Sequence, residues 1–124
     1  MVERRLVSVV DDDESVRESL PDFLRLFGHE VLPFASADEF LQHTDDLDRT
    51  GCLILDIAMP GMSGPELQLE LARRDCDIPI VFITGFSDGA IKRKVLTRGA
   101  VACLSKPFSE SALLDAVTAA LARH

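Results

Sequence analysis

The chain has 124 residues, and its 21 acidic residues outnumber its 13 Lys and Arg residues, which gives a formal net charge of −8. A chain of this length is typical of one domain, and an apolar content of 47% supports a core of its own and excludes a disordered acidic tail. The negative charge argues against direct binding of nucleic acid or of an anionic membrane, and no apolar run is long enough to cross a bilayer.

The first half of the chain predicts two strands with an amphipathic helix between them. Apolar runs at Leu6–Val10 and Val31–Phe34 indicate the strands. The helix ends at Gly28 and contains an interior proline, Pro21, which is expected to kink it. Its apolar face is formed by Val16, Leu20, Phe23, Leu24 and Phe27.

A short helix and a loop are predicted next. Ser36 and Glu39 have the spacing of a capping box, which indicates a short helix through Leu41. The acidic stretch Asp45–Arg49 is predicted as a loop.

The second half predicts three more strands, at Cys52–Leu55, Ile78–Ile83 and Val101–Leu104. Pro65 fits the first position of a helix after the third strand, and Gly99 ends a helix after the fourth. Apolar residues at helical spacing mark these two helices and the last one: Leu67 and Leu71; Ile91, Val95 and Leu96; Leu113, Leu114, Val117 and Leu121.

This alternation of strands and helices predicts an α/β fold. Crossovers of this length join parallel neighbours, so the strands should form a parallel sheet covered by helices on both faces. In such sheets, ligands bind at the carboxyl ends of the strands.

Polar residues occur at those strand ends. Asp11 and Asp12 follow the first strand, Asp56 the third, Thr84 the fourth and Lys106 the fifth. Three carboxylates remain ionised together only if a cation lies among them, and hard oxygen ligands without His or Cys point to Mg²⁺. Thr84 and Lys106 supply groups that hold phosphoryl oxygens. Asp56 is the candidate phosphoryl acceptor because it is the single acid at the end of an apolar strand.

Each of these residues also has an ordinary structural explanation. Asp11 and Asp12 could complement a helix dipole, and Asp56 could be a turn residue. Thr84 could be a plain strand residue and Lys106 a solvated lysine. Their occurrence in order, at the ends of four different strands, favours a shared site.

The cysteines and the N-terminus predict a cytoplasmic protein. Cys52, Cys76 and Cys103 are odd in number and lack metal-ligand spacing, which favours reduced thiols. The N-terminal apolar stretch is short and runs directly into acids, unlike a signal peptide.

The sequence resembles the receiver domain of two-component response regulators, and within that family it is most similar to receivers of the FixJ type. The motifs that carry the resemblance are VVDDDESVRESL, LILDIAMPGMSGPEL, VFITG, RGAVACLSKPF and LLDAV. The resemblance covers essentially the whole chain. It implies a flavodoxin-like, doubly wound five-stranded parallel sheet in the order 2-1-3-4-5. We expect one receiver domain over residues 1–124, with no output domain among them.

The resemblance also implies the chemistry of phosphorelay signal transduction. Asp56 would accept a phosphoryl group from a phosphohistidine on a sensor histidine kinase. Asp12, Asp56 and the backbone carbonyl of Ala58 would bind Mg²⁺, and Asp11 would act through water. Lys106 would pair with the phosphoryl oxygens, Thr84 would shift toward them, and the Lys106–Pro107 bond would be cis. Such a domain catalyses its own phosphorylation and dephosphorylation and is not a turnover enzyme.

Three positions depart from the family pattern or vary within it. Cys103 stands where the family often has an aromatic residue that rotates inward on activation. We expect a buried, inert thiol there rather than a redox sensor. Ala58 and Phe86 occupy positions that tune dephosphorylation, and Ala58 has no polar group to orient water. The sequence therefore predicts a comparatively long-lived phosphoryl group.

A basic stretch contrasts with the acidic chain: Lys92, Arg93, Lys94 and Arg98. A solvated helix face is its ordinary explanation. The resemblance implies a partner surface instead, used in a phosphorylation-dependent homodimer or against an effector domain that controls transcription.

Three other functions fit parts of the sequence. The acids from Asp11 onward resemble the motif of phosphatases with an aspartate nucleophile. In a chain of that class, Asp11 rather than Asp56 would carry the phosphoryl group. A flavodoxin-like electron carrier lacks support, because these acids would repel the FMN phosphate. A pseudo-receiver that works without phosphorylation remains open because of Cys103.

Overall fold

Five short apolar runs form the strands of one parallel sheet. The computed structural model describes residues 4–85 and 89–123. The strand order is β2-β1-β3-β4-β5, and all four pairings are parallel, which confirms the predicted fold class. The strands are β1 (Leu6–Val10), β2 (Val31–Phe34), β3 (Thr50–Asp56), β4 (Ile80–Thr84) and β5 (Ala102–Ser105).

Helices cover both faces of this sheet. Successive strand residues point to opposite faces, so β1 and β3 each contribute to two hydrophobic clusters. One cluster lies between the sheet and helices α1 and α6, and the other lies between the sheet and helices α2 to α5. The helices are α1 (Glu14–Arg25), α2 (Ala37–Gln42), α3 (Thr44–Arg49), α4 (Gly64–Arg73), α5 (Gly89–Thr97) and α6 (Glu110–Leu121).

The acidic stretch 45–49, predicted as a loop, is helical, so that prediction was wrong. Asp45 and Asp46 lie in the first turn of α3, where carboxylates complement the helix dipole, and Arg49 lies in the last. Arg49 also pairs with Asp46 at 3.6 Å and with Glu30 at 2.7 Å. Charge placement therefore supports a helix where the apolar pattern is weak.

Helix capping also differs from the prediction at two places. Ser36 accepts a hydrogen bond from the Glu39 N–H, but the Glu39 carboxylate accepts from Ala35 instead of Ser36, so the predicted capping box is incomplete. A complete capping box joins Ser63 and Glu66 at the start of α4.

Helix α1 continues through Pro21 and ends at Arg25, just before Gly28, which has a φ of +87°. Among the described residues, no helix has both the length and the apolar character needed to cross a bilayer.

Candidate functional site

The candidate site lies where the chain leaves β1 and β3. These two strands are neighbours, and Val10 pairs with Leu55 at their carboxyl ends. The chain continues to β2 on one side of β1 and to β4 on the far side of β3. This reversal of direction opens the crevice in which parallel α/β sheets bind ligands.

Three carboxylates meet in this crevice, as the strand-end pattern predicts. One oxygen each from Asp11, Asp12 and Asp56 lie within 4.8 Å of one another. Asp11 is fully buried and Asp56 is 7% exposed, whereas Asp12 faces solvent. The Asp11 Oδ1 atom accepts a hydrogen bond from the Asp13 N–H at 2.9 Å, but Oδ2 has no hydrogen-bond partner. Hard oxygen donors with an unpartnered buried atom fit a divalent cation such as Mg²⁺.

The electrostatics of the crevice oppose its ionised state when no cation is bound. Burial raises the pKa of Asp56 to about 6, and the Asp11 and Asp12 carboxylates raise it as well. Burial also raises the pKa of Asp11. The Lys106 ammonium lowers both pKa values but does not cancel the effect of burial. The carboxylates of the site are therefore arranged so that a nearby cation would stabilise their ionised state.

Lys106 supplies part of that charge from the end of β5. Its Nζ atom lies 3.7 Å from the Asp11 Oδ2 atom. Its N–H donates to the carbonyl of Thr84 at 2.8 Å, and the Lys106–Pro107 bond is cis. Thr84 is buried at the last position of β4. The structure thus brings Lys106 to the acids and joins Thr84 to Lys106.

The loop from β3 to α4 is fixed close behind Asp56. Gly64 donates its N–H to the Ile57 carbonyl at 3.0 Å, and a Cβ atom added to Gly64 would lie 2.2 Å from the Asp56 carbonyl oxygen. Only glycine permits this approach. Ala58 lies exposed in the loop, two residues after Asp56.

Two further residues hold the acidic turn after β1, and the sequence pattern gave no role to one of them, Arg17. The guanidinium of Arg17 donates to the Asp11 backbone carbonyl at 2.9 Å. The Asp13 side chain caps α1 by accepting from the N–H and the hydroxyl of Ser15. The one sequence signal for Arg17 is its position one turn after the Asp13 cap, which directs a long side chain back toward the strand end.

The chain matches the family model described as "Response regulator receiver domain" over residues 7–118. It belongs to this receiver family. The match begins within β1 and ends within α6, so it includes all of the sheet except Leu6 and every residue of the acidic crevice.

Curated relatives and a solved structure support the same assignment. Nodulation protein W of Bradyrhizobium diazoefficiens is 49% identical over 97% of this chain and 52% of its own length. The transcriptional regulatory protein FixJ of Azorhizobium caulinodans is 41% identical over 99% of this chain and 58% of its own length. The crystal structure of FixJ-N, with 33% identity, superposes with a TM-score of 0.89 and covers 99% of this chain and 98% of that one. The receiver therefore spans about half the length of the curated relatives that it matches.

Cys103 lies in the core of the receiver. It is 6% exposed, pairs with Phe82 of β4, and burial raises the pKa of its thiol. A raised pKa leaves little thiolate, so the environment is that of an inert cysteine rather than a redox sensor. Phe86, the other tuning position, lies outside the described residues.

The basic residues lie within α5 and directly after it, and their side chains face solvent. Lys92, Arg93, Lys94 and Arg98 are all exposed. The buried residue of this helix is Val95, whose carbonyl accepts a hydrogen bond from the Gln68 side chain at 3.1 Å. The receiver thus exposes a cluster of basic residues in a chain whose net charge is −8.

Proposed function

We propose that this receiver accepts a phosphoryl group on Asp56 from the phosphohistidine of a sensor histidine kinase, in a Mg²⁺-dependent reaction. The observation that carries the proposal is the meeting of three carboxylates and Lys106 at the switch point of the sheet. Family membership makes a sensor kinase the expected partner.

The metal would be held by the Asp12 and Asp56 carboxylates and the backbone carbonyl of Ala58, with Asp11 acting through water. The donors are hard oxygens, and Oδ2 of Asp11, which accepts no hydrogen bond, is available to a water ligand. A bound Mg²⁺ supplies charge neutralisation between the carboxylates and the incoming phosphoryl group.

The remaining chemistry belongs to the side chains of the crevice. An Asp56 oxygen attacks phosphorus in line, the phosphorus–nitrogen bond of the phosphohistidine breaks, and the imidazole leaves. Lys106 pairs with the phosphoryl oxygens, and the Thr84 hydroxyl binds one of them after transfer. Positioning and charge, rather than a general base, lower the barrier. The same site returns the phosphoryl group to water, so the domain modifies itself and is not a turnover enzyme.

We further propose that residues 1–124 act as the cytoplasmic receiver of a transcription regulator whose output domain lies outside them. The names of the relatives support this context, since one is a transcriptional regulatory protein. The signal would pass through the exposed basic residues of α5, to a second receiver or to the output domain. Reversing the charge of Lys92 and Arg93 should then abolish phosphorylation-dependent assembly, measured by sedimentation. Unchanged assembly would remove α5 from the proposal.

The decisive experiment is incubation with Mg²⁺ and a small acyl phosphate, followed by intact-mass measurement and peptide mapping. The expected result is one added phosphoryl group on Asp56, lost in Asp56→Asn and retained in Asp48→Asn, a variant of an exposed acid on α3. Chelation of Mg²⁺ should prevent the modification.

Other outcomes of that experiment identify the alternatives. Modification of Asp11 would indicate the phosphatase chemistry, and no modification would indicate a pseudo-receiver. Ala58 offers no side-chain polar group to orient water, so the phosphoryl group on Asp56 should persist. Rapid loss from the isolated domain would contradict that part of the proposal.

A further inference from the structure

An exposed apolar patch lies at the C-terminal end of α1, and the site chemistry does not use it. Leu26 is 82% exposed and Phe27 is 56% exposed, and the Phe27 ring packs edge-on against that of Phe23 at 5.3 Å. We call Phe23, Leu26 and Phe27 the α1 patch. The described residues include two other strongly exposed large hydrophobic side chains, Leu69 and Leu96, which lie on different helices.

The α1 patch lies at the end of the sheet where the strands begin. Helix α1 starts at the acidic crevice and runs back to the first residue of β2. Arg25 donates to the Val31 carbonyl at 2.7 Å, so this flank of α1 faces β2 at the sheet edge. Phe23 lies about 160° around the helix from Arg25. The α1 patch therefore borders the flank of α1 that faces α6.

The end of α6 also lies where the strands begin, on the same face of the sheet as α1. Helix α6 packs over β3, β4 and β5, and both α1 and α6 contact one hydrophobic cluster. A Cβ atom on Gly51, near the start of β3, would lie 3.0 Å from Leu121. Arg123 donates to the Gly99 carbonyl at 3.3 Å, just before β5. The end of α6 and the α1 patch thus lie at the same end of the sheet, and the Arg123 side chain turns toward the loop after α5.

The size of the α1 patch discriminates between possible occupants. Its three side chains expose on the order of 300 Å². A stable dimer needs roughly 800 Å² per partner, so a second copy of this chain would gain too little from the α1 patch alone. A tethered segment needs to bury far less area to dock, because its effective concentration is in the millimolar range. The curated relatives are about twice as long as this chain.

We propose that the α1 patch is the docking surface for the polypeptide that follows residue 124 in the longer protein. The occupant is an apolar face of that segment, which packs on Phe23, Leu26 and Phe27 beside α6 and holds the output domain at the end of the receiver opposite the acidic crevice. The inference rests on the proposed function in one respect, namely that an output domain follows the receiver.

The test uses the longer protein without a phosphoryl donor and compares Leu26→Gln with Leu69→Gln. Leu69 is 49% exposed on α4, on the other face of the sheet, and is the matched control. In Leu26→Gln, limited proteolysis of the segment after residue 124 should accelerate roughly tenfold, since the variant removes one apolar side chain that the docked segment buries. The radius of gyration from X-ray scattering should rise. Leu69→Gln should change neither quantity.

Two measurements on the 124-residue chain complete the test. Leu26→Gln should leave its melting temperature unchanged, which shows that the variant acts on docking and not on the fold. Equal proteolysis of the two variants, or the absence of any following segment, overturns the proposal. So does a concentration-dependent dimer of this chain that Leu26→Gln dissociates, because the occupant is then a second copy. Phosphorylation of Asp56 is measured separately, so failure of the proposed function is distinguishable from failure of docking.

Discussion

At the scale of single residues, Asp56 combines the proposed role of phosphoryl acceptor with a charge that burial makes unfavourable. Its pKa of about 6 lies above its ordinary value of 3.8 because burial disfavours the carboxylate. The folded state therefore binds more protons than the unfolded chain between these values, and the free energy of unfolding falls as pH rises from about 4 to 6. Above pH 6 the full cost of the charge is present. In the family chemistry this same carboxylate must be ionised to attack phosphorus.

We expect Asp56→Asn to raise the free energy of unfolding at pH 7.5, in EDTA, by about 1 to 3 kcal/mol, because it removes a buried charge from beside Asp11. Urea unfolding measured from pH 4 to 7.5 checks this, and the gain should shrink toward pH 4. Asp48→Asn, which removes an exposed charge, should show no such pH dependence. A gain of equal size at every pH would mean that the asparagine packs better, and the electrostatic explanation would be wrong.

The sequence predicted the meeting of Asp11, Asp12 and Asp56 because parallel strands end at one edge. It did not predict that Asp11 is fully buried, or that Arg17 holds its backbone carbonyl, because both depend on how side chains pack around the turn. Strand ends locate residues to within one edge of a sheet. Burial and hydrogen bonding then decide which of these carboxylates are costly to ionise.

At the scale of elements, the start of α4 is built against the end of β3. Gly64→Ala would place a Cβ atom 2.2 Å from the Asp56 carbonyl oxygen, which is backbone and cannot move aside. We expect a loss of more than about 3 kcal/mol in the free energy of unfolding, measured by urea or thermal unfolding.

The matched control is Gly85→Ala, at a glycine with no heavy atom within 4 Å of an added Cβ and no positive φ. It should be close to neutral. If Gly64→Ala is equally neutral, α4 can shift away from β3, and the loop behind Asp56 is less constrained than this contact indicates.

All five strands were predicted to within two residues at each end, whereas one helix, α3, was missed. Leu6–Val10 and Val31–Phe34 were predicted with the observed bounds, since a buried strand needs an apolar run that turn or acidic residues terminate. Helix α3 was missed because only one of its residues, Leu47, packs into the core, and its other features are charges at its two ends and the contacts of Arg49. A search for apolar periodicity does not detect such a helix.

At the scale of the whole molecule, the net charge of −8 acts in two ways. Spread over the surface, it weakens the folded state slightly through repulsion and is relieved by any salt. Concentrated in Asp11, Asp12 and Asp56, it creates a local cost that a bound divalent cation relieves. The two effects differ in their dependence on ion type, which allows them to be separated.

We expect Mg²⁺ to stabilise the receiver as a specific ligand. A ligand at ten times its dissociation constant adds about 1.4 kcal/mol to the free energy of unfolding, and this corresponds to a rise in melting temperature of roughly 5 °C for a domain of this size. Differential scanning calorimetry over a MgCl₂ series, with NaCl at matched ionic strength as the control, measures the shift. NaCl should give a much smaller rise, because it screens the surface charge but does not occupy the crevice.

The variant Asp12→Asn/Asp56→Asn separates the two effects of the net charge. It keeps most of the acidic surface but removes two of the three carboxylates that would hold the ion. Its melting temperature should respond equally to MgCl₂ and NaCl at matched ionic strength. If the double variant keeps the full Mg²⁺-specific rise, the cation binds elsewhere on the acidic surface, and the crevice is not the metal site. If the unmodified receiver shows no difference between the two salts, protonation of Asp56, rather than a metal ion, removes the cost of burying its charge.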